Sequence, residues 1–312
     1  LNVATKPRAL RPGDLVGVAA PAGPVEAERL ERGVAEIQAL GFRVRVADGA
    51  LGRQGFTAGP LESRLAQLRT LLLDPEVGAI VSARGGAGAG RLLPRLDPAL
   101  WRTHPKLLVG YSDVTWLHLL LGGVGVVSLH GPMAARELAE GEAAYDRKSL
   151  WHALTGQGVP YASRPAELKC LRAGVAEGVL RGGCLSILAA AAGTPWALRP
   201  AGEPTVLFVE DVDEPPYRID RMLLQLRASR SLEGVRGVVF GEMKGCAPPA
   251  EAGYTLEDVL LEALEGLDVP VALGLPSGHA SGPIVTLPLG VAVRLECGEG
   301  GVRFEALEAP VA

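Results

Sequence analysis

Up to residue 130 the chain alternates between short β-rich runs and segments with helical periodicity. That rhythm restricts the fold more than any other feature. LVGVA (15–19), RVRVA (43–47), GAIVSA (78–83), KLLVG (106–110) and GVVSL (125–129) read as strands. Between them, residues 25–40 place Leu30, Val34 and Ile37 on one helical face, with Gly41 at the C-cap. Residues 61–73 turn Leu61, Leu65, Leu68 and Leu72 inward. Apolar strands alternating with helices predict a parallel sheet covered on both faces.

The rhythm lapses in the polar stretch TGQGVPYASRPAELKCLRAG (155–174). Beyond it, strands are predicted near 175–180, 205–209, 235–240 and 270–274, and helices at 216–228 and 255–265. IVTLPLGVAVRLE and GVRFEAL make the C-terminal part strand-rich. The predicted fold class is therefore α/β: an N-terminal parallel-sheet domain (1–157), a linker (158–174) and a mixed, β-rich domain (175–312). No internal repeat is present.

Composition excludes several function classes. The chain has 312 residues, 48% of them apolar and 21% charged, enough for a sizeable core. A net charge of −4 with both signs interspersed leaves no basic run for a nucleic acid or a membrane surface. The apolar segment 182–198 is broken by Gly and Pro and is too short to span a bilayer. LVGVAAPAGPV is short and carries two prolines, so no secretory signal is expected. The cysteines, Cys170, Cys184, Cys246 and Cys297, are far apart in sequence and form no C-x-x-C. A reduced, cytoplasmic protein without a zinc site is expected.

Candidate chemistry begins at KLLVGYSDVTWLHLL (106–120), where an apolar strand passes through Ser112 into a helix. Ser112 could simply cap that helix, and the stretch alone favours the cap, although Thr115 stands where a capping box wants Glu or Gln. It could also be a nucleophile at a strand–turn–helix elbow, yet GYSDV does not complete G-x-S-x-G. A nucleophilic serine needs a base and an orienter. Of five histidines (His104, His118, His130, His152, His279), His279 stands in the Gly-rich loop LPSGHASGP. Glu210 is the first residue off the apolar strand TVLFV, at the carboxyl end where α/β sheets place ligands. It could also belong to a solvated acidic turn. A divalent-metal site from Glu210, Asp211, Asp213 and Glu214 is disfavoured, because Pro215 and Pro216 cut the run short. SARGGAGAGR (82–91) lacks the G-K-[ST] of a P-loop and the acidic partner of a dinucleotide fold. Its glycines suit a nest of backbone N–H groups beside Ser112.

Four segments, in order, resemble the L,D-carboxypeptidases of the muramoyl-tetrapeptide carboxypeptidase type: SARGGAGAGRLLPRLD, VGYSDVTWLH, LFVEDVDEPPYRIDRMLLQL and LGLPSGHASGPIVTLPLG. RPGDLVGVAAPAGPV and SLHGP also match, so the likeness runs from about residue 10 to about residue 305. The resemblance implies Ser112 as nucleophile, His279 as general base and then acid, and Glu210 as its orienter. The backbone N–H groups of Gly86 and Asp113 would form the oxyanion hole. It further implies a site between two domains, no metal and no cofactor, a cytoplasmic homodimer, and a muropeptide substrate in peptidoglycan recycling. Arg84 and Arg221 are candidates to receive the terminal carboxylate of that peptide. For Arg221 an ion pair with Asp220 or Asp211 is the alternative. Two departures fall near the expected pocket. Gly85-Gly86-Ala87-Gly88 stands for Gly-Gly-Tyr-Gly, and Gly182-Gly183-Cys184-Leu185 for Gly-Gly-Asn-Leu.

Two rival readings come from different classes. A microcin C-type immunity peptidase of the same superfamily needs aromatics to stack on adenine, whereas aromatics are only 4% here and Trp196 reads as part of a buried segment. A non-catalytic muropeptide-binding protein would have no reason to keep all three triad residue types.

Overall fold

The computed structural model describes residues 4–163, 168–200 and 202–312, so residues 164–167 of the 158–174 stretch lie outside the described residues. In the first half come β1 (Leu15–Ala19), α1 (Ala27–Ala39), β2 (Arg43–Val46), α2 (Leu61–Leu73), β3 (Val77–Ser82), α3 (Pro98–Thr103), β4 (Leu107–Gly110), α4 (Thr115–Gly123), β5 (Ser128–His130) and α5 (Arg147–Thr155). The second half follows with β6 (Lys169–Arg172), β7 (Gly174–Cys184), α6 (Leu185–Ala191), β8 (Thr205–Glu210), α7 (Pro216–Ala228), β9 (Val235–Gly241), α8 (Leu256–Ala263), β10 (Val271–Leu275), β11 (Leu287–Leu289), β12 (Ala292–Gly298) and β13 (Gly301–Ala306).

Two sheets result. The first has the order β11-β5-β4-β3-β1-β2, and β1 to β5 are parallel, as the alternation predicts. Its central strands β1, β3 and β4 are buried along their whole length, which is why they read as unbroken apolar runs. The second sheet, order β13-β12-β7-β8-β9-β10-β6, mixes parallel and antiparallel pairs. In β8, Leu207 and Val209 face the core shared with α6, α7 and α8, while Val206 and Phe208 face the core shared with β12 and β13. Among the described residues no helix is long and apolar enough to cross a membrane.

Several boundaries differ from the sequence reading. Strand β5 lies at 128–130 instead of 125–129, because Gly125 (φ 71°) belongs to the preceding turn. On α2 the buried face is Arg64, Gln67, Leu68, Leu71 and Leu72, with Leu61 and Leu65 only half-buried. Two polar residues sit inside because loop backbone groups need partners there, and Gln67 accepts the Ala20 N–H at 2.9 Å. The stretch read as a linker carries β6, a four-residue edge strand antiparallel to β10, half-buried apart from Lys169 and too short to show an alternating pattern. Strand β7 runs on through Gly182 and Gly183, where a Cβ would meet the Phe208 carbonyl and the Thr115 side chain. Cys170 and Cys297, distant in sequence, meet in one core, and burial together with Cys170 pushes the Cys297 thiol up to about 12.

The halves are interlaced. Strand β11 leaves the second half and pairs antiparallel with β5 in the first sheet. Ala312 exchanges backbone hydrogen bonds with Pro7 and Ala9.

Candidate active site

Ser112 sits between the end of β4 and the start of α4, on a single 3₁₀ turn (Ser112–Val114). Its φ of 62° is unusual for a residue with a Cβ and marks a strained elbow. The sequence offered a cap as the simpler role, but Tyr111 holds the N-cap position of this turn and no side-chain cap forms. Asp113 N–H belongs to the first turn, where helix geometry leaves donors without an internal partner.

Behind the serine lies the Gly-rich loop. A Cβ on Gly85 would stand 2.7 Å from Ser112 Cβ and 2.9 Å from its Oγ, so only glycine permits this approach. Gly86 (φ 109°) is exposed and packs against Gly23. Two charged side chains that the sequence reading gave no such role pin the loop. Arg64, buried on α2, donates from Nη1 to the carbonyls of Pro21 and Gly88, both at 2.8 Å. The Asp113 carboxylate accepts the Ala89 N–H at 2.7 Å. Burial pushes that carboxyl up to about 6, against the pull of Ala89 N–H and Arg64.

Glu210 closes β8 and is 1% exposed. Its Oε2 accepts both Nδ1–H of His279, at 2.8 Å, and the His279 backbone N–H, at 2.9 Å. Burial alone would raise the Glu210 carboxyl, but the two facing imidazoles, His130 and His279, outweigh it and hold it near 2. For His279, burial works downward, and the hydrogen bond and charge of Glu210 win, so its pKa lies above the ordinary 6.5. With Nδ1 committed to Glu210, Nε2 is the nitrogen left to take a proton. The His279 ring meets the Tyr111 ring edge-on, centroids 5.0 Å apart, which sets it beside the elbow. No hydrogen bond joins Ser112 Oγ to His279 among the described residues; such contacts commonly close only around substrate.

The remaining sequence candidates fall into different places. Arg84 lies beside the Gly-rich loop and donates to Pro24 O at 3.3 Å. Arg221 is exposed on α7, its guanidinium 5.3 Å from the Tyr217 ring centre, and forms no ion pair with Asp220 or Asp211. Ala87 is exposed at the loop tip, and Cys184 is buried next to Ser186, level with Glu210 across the β7–β8 pair. Trp196 is half-buried against the core of the first half. The acidic run is dispersed: Asp211 accepts from Ser186 N–H and Val212 N–H, and Glu214 faces Arg218. No cluster of three metal-ligating side chains occurs among the described residues.

Arg136 is a residue the sequence reading passed over. It leaves helical geometry (φ −121°, ψ −109°) inside the π-helical turn Ala134–Leu138. Its positive charge reaches both His279 and Tyr111. Tyr111 donates to Glu137 at 2.7 Å, which holds this turn against the elbow.

Residues 16–131 match the family model of the LD-carboxypeptidase N-terminal domain, and residues 177–295 that of the LD-carboxypeptidase C-terminal domain. A probable murein peptide carboxypeptidase of Bacillus subtilis is 35% identical over 304 residues, covering 96% of this chain and 94% of the relative. The crystal structure of a muramoyltetrapeptide carboxypeptidase from Oxalobacter formigenes superposes with a TM-score of 0.84 at 30% identity, covering 95% of this chain and 100% of the other. The microcin C7 self-immunity protein MccF of Escherichia coli is 29% identical over 321 residues, covering 91% of each chain.

Proposed function

The chain belongs to the LD-carboxypeptidase family, and from that premise we propose that it is a serine-type L,D-carboxypeptidase that removes the terminal D-alanine from muropeptide tetrapeptides. The observation that carries the proposal is Glu210 Oε2, which grips both the ring and the backbone of His279 beside the Ser112 elbow.

In this reading Ser112 Oγ attacks the carbonyl carbon of the diamino acid, and its proton passes to His279 Nε2. The oxyanion rests on the N–H groups of Gly86 and Asp113, each worth on the order of 3 kcal/mol in the transition state. Collapse breaks the amide bond, and the His279 proton goes to the departing D-alanine amine. Water then enters, gives a proton to His279 and releases the acyl group, after which Ser112 recovers its proton. Glu210 fixes the tautomer and stabilises the imidazolium throughout.

The substrate's terminal carboxylate needs a cation. We assign Arg136 and Arg84 to it, because the charge of one reaches His279 and the other borders the Gly-rich loop. Arg221, engaged with Tyr217, is the comparison. A cytoplasmic homodimer acting in peptidoglycan recycling completes the proposal.

The test is D-alanine release from an L-Ala-γ-D-Glu-diamino acid-D-Ala tetrapeptide, with a pentapeptide ending in D-Ala-D-Ala as control. Release from the tetrapeptide alone, lost in Ser112→Ala, is the expected result. A peptidyl-adenylate analogue cleaved faster than the tetrapeptide would move the assignment to the immunity-peptidase side of the family. An inert Ser112 in a protein that still binds muropeptides would make it a binder.

A further inference from the structure

Glu210 has a second oxygen that the triad does not use. Oε1 is buried and has no hydrogen-bond partner among the described residues. It faces Nε2 of His130 at 3.8 Å, and that nitrogen is likewise buried without a partner. At this distance the contact is electrostatic and a small shift short of a hydrogen bond. His130 is fully buried, on the strand pair that ends at the elbow: it lies opposite Gly110 of β4 and opposite Leu287 of β11.

The proton on His130 can be placed by its other nitrogen. Nδ1 is 3.0 Å from Ser277 Oγ, and Ser277 Oγ is 2.9 Å from Val285 O. Ser277 has one hydroxyl proton to give. Given to Nδ1, it leaves the ring proton on Nε2. Given to Val285 O, it requires Nδ1–H to donate to Ser277 Oγ. A neutral ring would then turn an Nε2 lone pair on a buried carboxylate oxygen, a repulsion that burial leaves poorly screened. Every arrangement free of that repulsion puts a hydrogen on Nε2, aimed at Oε1.

We propose that His130 is a positioning residue for the triad acid: its Nε2–H holds the second oxygen of Glu210, so the carboxylate is fixed between two imidazoles and presents Oε2 to His279. The inference rests on the Ser112–His279–Glu210 reading and deepens it. It also gives Ser277, two residues before His279, a task, since the same histidine anchors the loop that carries the base. The other titratable groups around the cluster are Tyr111, His118, Cys184, Asp211 and Arg136, and none of them hydrogen-bonds to Oε1. The Phe208 ring meets His130 edge-on, centroids 5.0 Å apart.

The experiment compares wild type with His130→Leu, which removes the donor, and His130→Gln, which keeps an N–H. The His279 ring is titrated by NMR, and kcat and KM for the tetrapeptide are measured in parallel. Without the donor, Glu210 is less neutralised and holds the His279 imidazolium more tightly, so the His279 midpoint rises by about one pH unit in His130→Leu. His130→Gln stays near wild type. Loss of aim lowers kcat about tenfold or more in His130→Leu with KM little changed, since a misplacement of about 1 Å can cost roughly 100-fold. Should His130→Leu not fold, Ser277→Ala frees the ring from its anchor, and a smaller rise of the same sign is expected. An unchanged His279 midpoint in the folded variants, or Gln behaving as Leu does, overturns the proposal. The titration needs no turnover. A wild type that releases no D-alanine would therefore defeat the functional reading alone, while the His279 midpoints would still decide the role of His130.

Discussion

The Cβ that Gly278 lacks would lie 2.5 Å from Oε2 of Glu210. The Glu210 carboxylate thus occupies the volume of a missing side chain, and Gly241 makes room behind it, its absent Cβ falling 2.7 Å from Glu210 Cβ. Gly278 also has a φ of 82°. For Gly278→Ala the backbone cost is about 1–2 kcal/mol. The larger effect is on rate: with Glu210 displaced, kcat/KM is expected to fall roughly 100-fold. Steady-state kinetics beside a thermal melt check this, and a full loss of stability with normal activity per folded molecule would refute it.

Acid pH should silence the enzyme before it unfolds it. Burial opposes the charged form of His279, yet Glu210 prevails and its pKa lies above 6.5. The base must be neutral to accept the serine proton, so kcat/KM is expected to rise with pH with a midpoint above 6.5. In Glu210→Gln that midpoint moves down and kcat drops on the order of 10⁴-fold. Stability falls with pH in the same direction, but lower on the scale. The carboxyl of Glu210 is held near 2 against an ordinary 4.5, so its contribution is present above 4.5 and is lost as pH falls toward 2. Urea unfolding of wild type and Glu210→Gln should differ most near neutrality and converge in strong acid.

Asp113 joins two jobs in one residue. Its N–H is a candidate oxyanion donor, and its carboxylate ties Ala89, and with it the Gly86 loop, to the elbow. Asp113→Ala keeps the first and breaks the second. The expected result is a loss of about 100-fold in kcat, comparable with removal of one oxyanion donor. Asp113→Asn retains an acceptor for Ala89 N–H and should stay within about tenfold of wild type. Equal kinetics in both variants would show that the loop stands without the latch.

Recognition of the peptide's end can be read by neutralising it. A tetrapeptide amide lacks the terminal charge. If Arg136 binds that charge, Arg136→Ala should lose roughly 10- to 100-fold in kcat/KM on the acid and little on the amide, in line with a charged hydrogen bond of about 1.5–3 kcal/mol. Arg84→Ala should show the same preference more weakly, and Arg221→Ala should treat both substrates as wild type does.

The parallel sheet was legible because β1, β3 and β4 are buried on both faces and so carry unbroken apolar runs. Strand β6 was not, since four residues of mixed polarity at a sheet edge are too few to show a hydrophobic pattern. Ser112, Glu210 and His279 each carried a local signature, namely a strand–helix junction, a strand end and a Gly-rich loop. Their conjunction needed the family likeness, because nothing local links residues so far apart. Arg64, Asp113 as a latch, His130 and Arg136 were invisible for a different reason. Each acts through a backbone group or side chain that only the folded chain brings near. Arg64 was hidden most thoroughly, as a charged residue on a helix normally reads as solvent-facing.

The strand β11 makes the first sheet a late product of synthesis. Strand β5, which carries His130, has its outer edge unpaired until residues 287–289 exist to cover it. At roughly 5–20 residues per second the ribosome needs about 8–30 s to get from one strand to the other. Through that interval the nascent half that carries Ser112 presents an open edge of the kind other chains can pair with. Glu210 and His279, the proposed acid and base, are also still to come. A chain stopped short of β11 is therefore exposed to aggregation. The proposed peptidase site is framed completely only when β11 folds back onto β5.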